Sequence, residues 1–151
     1  MTDTARSMEA WATLHRAHAR VLAELSRRIE REHGVSVLEH GSLYELGAAP
    51  GRRLRMAQLA ERLGLTPSAT TRLVDRLVER GWMERASPSD NRRTVIVSIT
   101  REGWRSYVRN NRSFAAAVEA ALTARLSENE MTQLIDLLGK LCAHRAGPRE
   151  P

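Results

Sequence analysis

Apolar residues fall at helical spacing in the first part of the chain. Trp11, Leu14, Val21, Leu22, Leu25 and Ile29, with Ala17 between them, follow steps of 3, 4 and 7, which predicts an amphipathic helix from Met8 to about Arg31. His33-Gly34 supplies its stop, because glycine takes the left-handed C-terminal conformation cheaply. A second helix is predicted from Ser36 to Ala48, burying Val37, Leu38, Leu43, Tyr44 and Leu46, with Gly41 as a weak point inside it. Pro50-Gly51 reads as a turn, Arg53-Leu54 as a short strand and Met56 to Leu63 as a short helix. Gly64 ends that helix. Thr66-Pro67 opens the next, since threonine caps well and proline at the first helical position loses no hydrogen bond. This helix should run to Arg80 and bury Leu73, Val74, Leu77 and Val78.

Beyond Gly81 the period changes. Trp82 to Arg85 and the β-branched run Thr94 to Ile99 read as two strands, joined by a polar tip from Ser87 to Arg93. Thr100 caps a long helix, Arg101 to about Leu126, with a stripe of Trp104, Tyr107, Val108, Phe114, Val118, Leu122 and Leu126. Ser127 and Glu130 form an S-x-x-E capping box. They open a last helix that carries Met131, Leu134, Ile135, Leu138 and Leu141. No internal repeat or low-complexity segment interrupts the order.

Composition narrows the class. The 151 residues make about one domain. No apolar stretch approaches the ~18 residues of a membrane span, and Met1 to Met8 lacks the apolar region of a signal peptide. The lone cysteine, Cys142, excludes an internal disulfide. A soluble, cytoplasmic protein is expected. The formal charge is +6, from 24 Lys+Arg and 18 Asp+Glu, and its placement matters more than its size. Gly51 to Arg112 holds 14 arginines against 6 acids, which leaves the rest of the chain slightly negative. A basic middle between near-neutral flanks is the electrostatic footprint of a nucleic-acid module in a scaffold.

That basic middle is also where helix, tight turn, helix and hairpin follow one another. The second of those helices would turn Ser68, Ala69, Thr71, Arg72 and Arg76 outward. Small residues in its first turn, after the Thr66 cap, suit entry into a major groove, and its free N–H groups favour phosphate. A hairpin tip carrying Asp90, Asn91, Arg92 and Arg93 suits a narrow minor groove, which attracts guanidinium. Enzyme readings find no support. There is no glycine-rich phosphate loop, no H-E-x-x-H and no G-x-S-x-G, and no cofactor is expected.

The stretch from Met56-Ala57-Gln58-Leu59-Ala60, through Leu65-Thr66-Pro67-Ser68-Ala69-Thr70-Thr71-Arg72-Leu73-Val74-Asp75-Arg76-Leu77, to Val97-Ser98-Ile99-Thr100-Arg101-Glu102-Gly103 resembles the winged-helix core of MarR-type transcriptional regulators. Arg80-Gly81-Trp82-Met83-Glu84-Arg85 matches the entry to the wing, and the long flanking helices extend the resemblance over nearly the whole chain. The resemblance implies a mostly α (α+β) fold in one MarR-like domain over 1–151. It divides into a winged helix-turn-helix at 51–100 and long dimerisation helices at 8–34 and 101–145. It implies a homodimeric repressor on a palindromic operator of double-stranded DNA, and a small, often aromatic or phenolic, effector between the dimer helices and the winged domain. Trp11, His15, His18 and Tyr44 are the candidates for lining that pocket.

In the wing this sequence departs from the family. Asn91 stands between Asp90 and the Arg92-Arg93 pair, so either arginine could enter the minor groove, and Asp90 could pair with Arg85 or Arg92. Rival readings come from three features. A basic helical face would also suit a protein–protein adaptor with an acidic partner. His15 and His18 lie three apart, a spacing that lets two imidazoles share a metal, but no cysteine or acid completes the set and no metal is expected. Cys142 could sense oxidants, although on an apolar helical stripe it reads as a small buried hydrophobe.

Overall fold

The computed structural model describes residues 3–87 and 94–142. The first helix, α1, spans Asp3–His33. It starts a turn before the first apolar residue because Asp3 sits favourably against the positive end of the helix dipole. Gly34 ends it at φ 62°, donating its N–H to the Glu30 carbonyl at 2.9 Å. Helix α2 spans Val37–Ala48 behind a full capping box, in which Ser36 Oγ accepts from the Glu39 N–H and the Glu39 carboxylate accepts from the Ser36 N–H. A short 3-10 turn, Pro50–Arg52, leads to β1, Arg53–Arg55. Then come α3, Met56–Leu63, and α4, Pro67–Glu79. Strands β2, Met83–Ala86, and β3, Ile96–Ile99, precede α5, Arg101–Thr123, and α6, Glu128–Cys142.

The sheet order is β1-β3-β2, all antiparallel. Leu54 pairs with Val97, and Met83 with Ile99, so the buried residues of all three strands share one face over α2, α3 and α4. Leu43, Leu46, Leu54, Leu59, Leu73, Val74, Leu77, Met83 and Val97 close this core. A second, smaller core joins α1 to α5 through Leu25, Ile29 and Ala117, with Phe114 and Val118 packed against it. Helices α2 and α5 reach both cores and connect them.

Several positions depart from the sequence expectation. Leu38, Tyr44 and Val78 are exposed rather than buried, as is Val108 on α5. The buried line of α5 is made of small residues, Gly103, Ser106, Asn110, Ala117 and Ala121. Close helix contacts admit only small side chains, so the large aromatics are displaced to the flanks of the line. Helix α5 also stops at Thr123, short of Leu126. No residue of α6 is buried, and Cys142 is exposed, which corrects its reading as a buried hydrophobe. Ile135 and Leu141 are 65% and 72% exposed, because no described residue covers that face.

Candidate nucleic-acid interface

Helices α3 and α4 are joined by a turn whose Gly64 adopts φ 63°. The left-handed region is open to glycine without a Cβ penalty, and the turn aims α4 across α3. Thr66 Oγ1 accepts the Ala69 N–H at 3.3 Å, and Pro67 holds the first helical position. One face of α4 is anchored by Thr70, Leu73, Val74 and Leu77. The opposite side is therefore fixed in space with Ser68, Thr71, Arg72 and Arg76 exposed, while Ala69 is half-buried.

The hydrogen bonds of these side chains set what they can offer a partner. Thr71 Oγ1 donates its proton to the Pro67 carbonyl at 3.0 Å, which leaves its methyl group and an acceptor lone pair outward. The Ser68 and Thr66 hydroxyls share one bond at 3.3 Å. Arg72 makes no ion pair or hydrogen bond with a described residue, so its planar fork can meet a base edge or a phosphate. Arg76 is different. Its Nε lies 3.8 Å from Glu39 Oε1, on α2.

Two acids stand away from the anchored face of α4, Asp75 and, at its last residue, Glu79. Asp75 is 45% exposed and would repel phosphate, but Arg85 of β2 neutralises it at 2.5 Å and also donates to the Thr71 carbonyl at 3.2 Å. Arg85 was one of two candidate partners for Asp90, the other being Arg92; its guanidinium is engaged by Asp75 and the Thr71 carbonyl of α4. Asp90, Asn91, Arg92 and Arg93 lie outside the described residues. Arg53 and Arg55 of β1 are exposed beside the sheet and extend the basic surface.

The effector candidates do not converge in the protomer. Trp11, His15 and His18 are exposed on the first half of α1, with Trp11 stacked on His15 at 6.2 Å. Trp11 lines a groove of about 840 Å³ between α1 and α6, with Leu14, Leu134, Leu138 and Leu141. Tyr44 lines another depression, about 430 Å³, between α2 and α5 with His40, Asn111, Phe114 and Val118. His40 is nearly fully buried there, 4.2 Å from the Phe114 ring and 5.1 Å from Tyr107. Its Nδ1 has no hydrogen-bond partner among the described residues. Burial holds the His40 imidazole below its ordinary pKa, with Asn111 pulling the other way. Burial likewise raises the Tyr107 phenol. Among the described residues no group of three metal-ligating side chains is assembled, and no helix is long and apolar enough to cross a membrane.

Sequence reasoning missed Glu39, Asp75, Arg80 and His40. For Glu39 a signal existed, since Ser36-x-x-Glu39 has the same form as the recognised Ser127-x-x-Glu130. For Asp75 the signal was an acid three residues after Arg72 on an outward face, which needs a cation nearby. His40 and Arg80 carry no local pattern.

A helix-turn-helix whose second helix shows a basic, weakly partnered face beside a small antiparallel sheet is a winged helix-turn-helix, a class of DNA-binding domain. The MarR family model matches residues 33–93. Over that segment the chain is similar to the MarR family of winged helix-turn-helix transcriptional regulators. It is 29% identical over 106 residues to the HTH-type transcriptional repressor MdtR of Bacillus subtilis, a match covering 70% of this chain and 61% of MdtR. It is also 29% identical over 142 residues to the uncharacterized HTH-type regulator YkoM of the same bacterium, covering 94% and 90% of the two chains. Sco3205, a MarR family transcriptional regulator from Streptomyces coelicolor solved in complex with DNA, superposes with a TM-score of 0.81 at 27% identity, over 93% of this chain and 88% of that one.

Proposed function

We propose that this chain is a cytoplasmic repressor that binds a palindromic operator as a homodimer. The observation that carries the reading is the outward face of α4. Its anchored opposite side keeps Ser68, Thr71 and Arg72 on one exposed face, and Arg72 has no competing partner among the described residues. In this reading Ser68, Ala69, Thr71 and Arg72 read base edges, and Thr66 and Arg76 meet the phosphate backbone. The wing residues Asp90, Asn91, Arg92 and Arg93 serve the adjacent minor groove. The dimer rests on the exposed apolar faces of α1 and α6, which bring Met8, Trp11, Ile135, Leu137 and Leu141 to the surface. Contiguous apolar patches of this kind mark interaction surfaces, and two α4 helices would then meet half-sites roughly 10 base pairs apart.

Binding of duplexes from the DNA flanking its own gene, followed by fluorescence anisotropy, tests the reading. Arg72→Ala should cost about 1–3 kcal/mol on the preferred duplex and much less on a scrambled one. Sedimentation at micromolar concentration should show twice the 17.0 kDa protomer mass. Equal binding of wild type and Arg72→Ala to every duplex, or a protomer-sized species alone, would overturn it and favour the adaptor. An effector reading has one specific support, the depression beside Tyr44. A small aromatic or phenolic molecule could stack on Phe114 there and hydrogen-bond the buried Nδ1 of His40. Titration with a panel of phenolic acids, read as release from DNA, tests it.

A further inference from the structure

The carboxylate of Glu39 is the most enclosed acid at the edge of the recognition helix. Its side chain is 8% exposed, and two guanidinium groups of α4 and its C-terminal end flank it: Arg76 Nε at 3.8 Å and Arg80 Nη1 at 3.7 Å. The same carboxylate accepts the Ser36 N–H at 2.9 Å. Arg80 donates through both terminal nitrogens to the Gly34 carbonyl at 3.2 Å and lies 4.8 Å over the Trp82 ring. The turn between α1 and α2 is thus clasped to the far end of the recognition helix. One acid between two cations leaves a surplus positive charge. Arg80 is held by three neighbours, so the surplus resides on Arg76, which is 55% exposed. Arg76 faces Glu39 through Nε, and its two terminal nitrogens make no ion pair with a described residue. That fork is free for one phosphate, which would bring the cluster to neutrality.

We propose that Glu39 is a positioning residue for DNA binding: it holds Arg76 so that the open end of the guanidinium meets the phosphate backbone, and it ties that contact to the α1–α2 turn. The inference rests on the DNA-binding reading above. An unanchored arginine must lose the freedom of its long side chain when it binds, and a pre-oriented one has already lost it. Because α1 carries the apolar face assigned to the dimer, the clasp also gives helix movements at the interface a direct mechanical route to a phosphate contact.

The consequence opposes simple electrostatics. Glu39→Gln removes a negative charge from a DNA-binding protein and keeps an acceptor for the Ser36 N–H. Charge alone predicts tighter binding. Positioning predicts weaker binding. The probe is a mixed-sequence duplex of 30 base pairs, titrated with the full chain over a series of NaCl concentrations. Wild type should bind with a salt-dependent affinity. Arg76→Ala should lower the log–log salt slope by about 0.9, the value of one phosphate contact, and weaken binding roughly fivefold to tenfold at 0.1 M salt. Glu39→Gln should weaken binding by a similar factor, with its melting temperature checked alongside. In the Arg76→Ala background it should have no further effect. A fold defect would add its loss in both backgrounds and overturn the proposal, as would tighter binding by Glu39→Gln. Absence of any salt-dependent binding by wild type would instead sink the DNA-binding reading itself, and the proposal with it.

Discussion

Gly103→Ala tests the joint between the sheet and α5. Gly103 is the third residue of α5 and is buried. A Cβ built there would lie 2.9 Å from the Trp82 carbonyl carbon and 3.0 Å from Ile99 Cγ1, with the Trp82 carbonyl oxygen closer still. That oxygen already accepts the Thr100 N–H at 3.0 Å, while the Trp82 N–H is held by the Leu77 carbonyl at 2.8 Å. Thr100 is fixed in turn, capping the Gly103 N–H at 3.0 Å and donating to the Gly81 carbonyl at 2.6 Å. The clash is with backbone that is bonded on both sides, so relief requires α5 to move off β2 or the Thr100 bond to break. Overpacking costs about 1–3 kcal/mol, a lost hydrogen bond about 1 kcal/mol, and alanine returns at most about 1 kcal/mol of helix propensity. The net loss is about 1–4 kcal/mol, or a fall in Tm of about 2–16 °C for a chain of this size. Thermal unfolding by circular dichroism measures it, at fixed protomer concentration because a dimer's Tm depends on it. Gly41→Ala is the control. Its Cβ meets nothing within 4 Å inside α2, so it should raise Tm slightly. A Gly103→Ala protein as stable as wild type, beside a stabilised Gly41→Ala, would refute the reasoning.

Three further outcomes follow from the site. Arg85→Ala should change folding stability by only about 0–1 kcal/mol, since the pair is 33% and 45% exposed, yet weaken duplex binding by leaving Asp75 uncompensated; adding Asp75→Asn should restore much of the affinity in the same anisotropy assay. Burial lowers the folded pKa of His40 below the unfolded 6.5. Below about pH 6.5 the unfolded chain takes up a proton that the folded chain refuses. Stability should therefore decline from there until the folded pKa is reached, and His40→Gln should flatten that part of a urea-unfolding pH series. Glu32, lowered by its hydrogen bond from Ser113 and by Arg28, and Glu130, lowered by Ser127, act only below about 4.5. Replacing Ile135 and Leu141 together by serine should leave the protomer core intact and shift the sedimentation profile toward the protomer mass.

The order and type of the elements were legible in the sequence because they rest on local rules. Gly34, Gly64 and Gly81 adopt positive φ where helices end, Thr66 and Thr100 cap the helices that follow them, and the β-branched run ends in β3. Apolar period alone placed Leu73, Val74 and Leu77 on the anchored face of α4, and with them the outward face of Ser68, Thr71 and Arg72. Which large residue is covered was decided by tertiary packing. Leu38, Tyr44 and Val78 sit at the margins of their stripes, and only the position of the neighbouring helix determines whether a margin is dry. The long-range ion pairs were equally out of reach. The hairpin sequence suggested Asp90 as a partner for Arg85 or Arg92 and gave no hint of Asp75, which Arg85 meets because β2 runs beside α4. Glu39 meets Arg76 and Arg80 only because the fold brings the start of α2 within reach of the end of α4. Local chain geometry fixes conformation over a few residues; charge partners separated by tens of residues are chosen by the fold that brings them together.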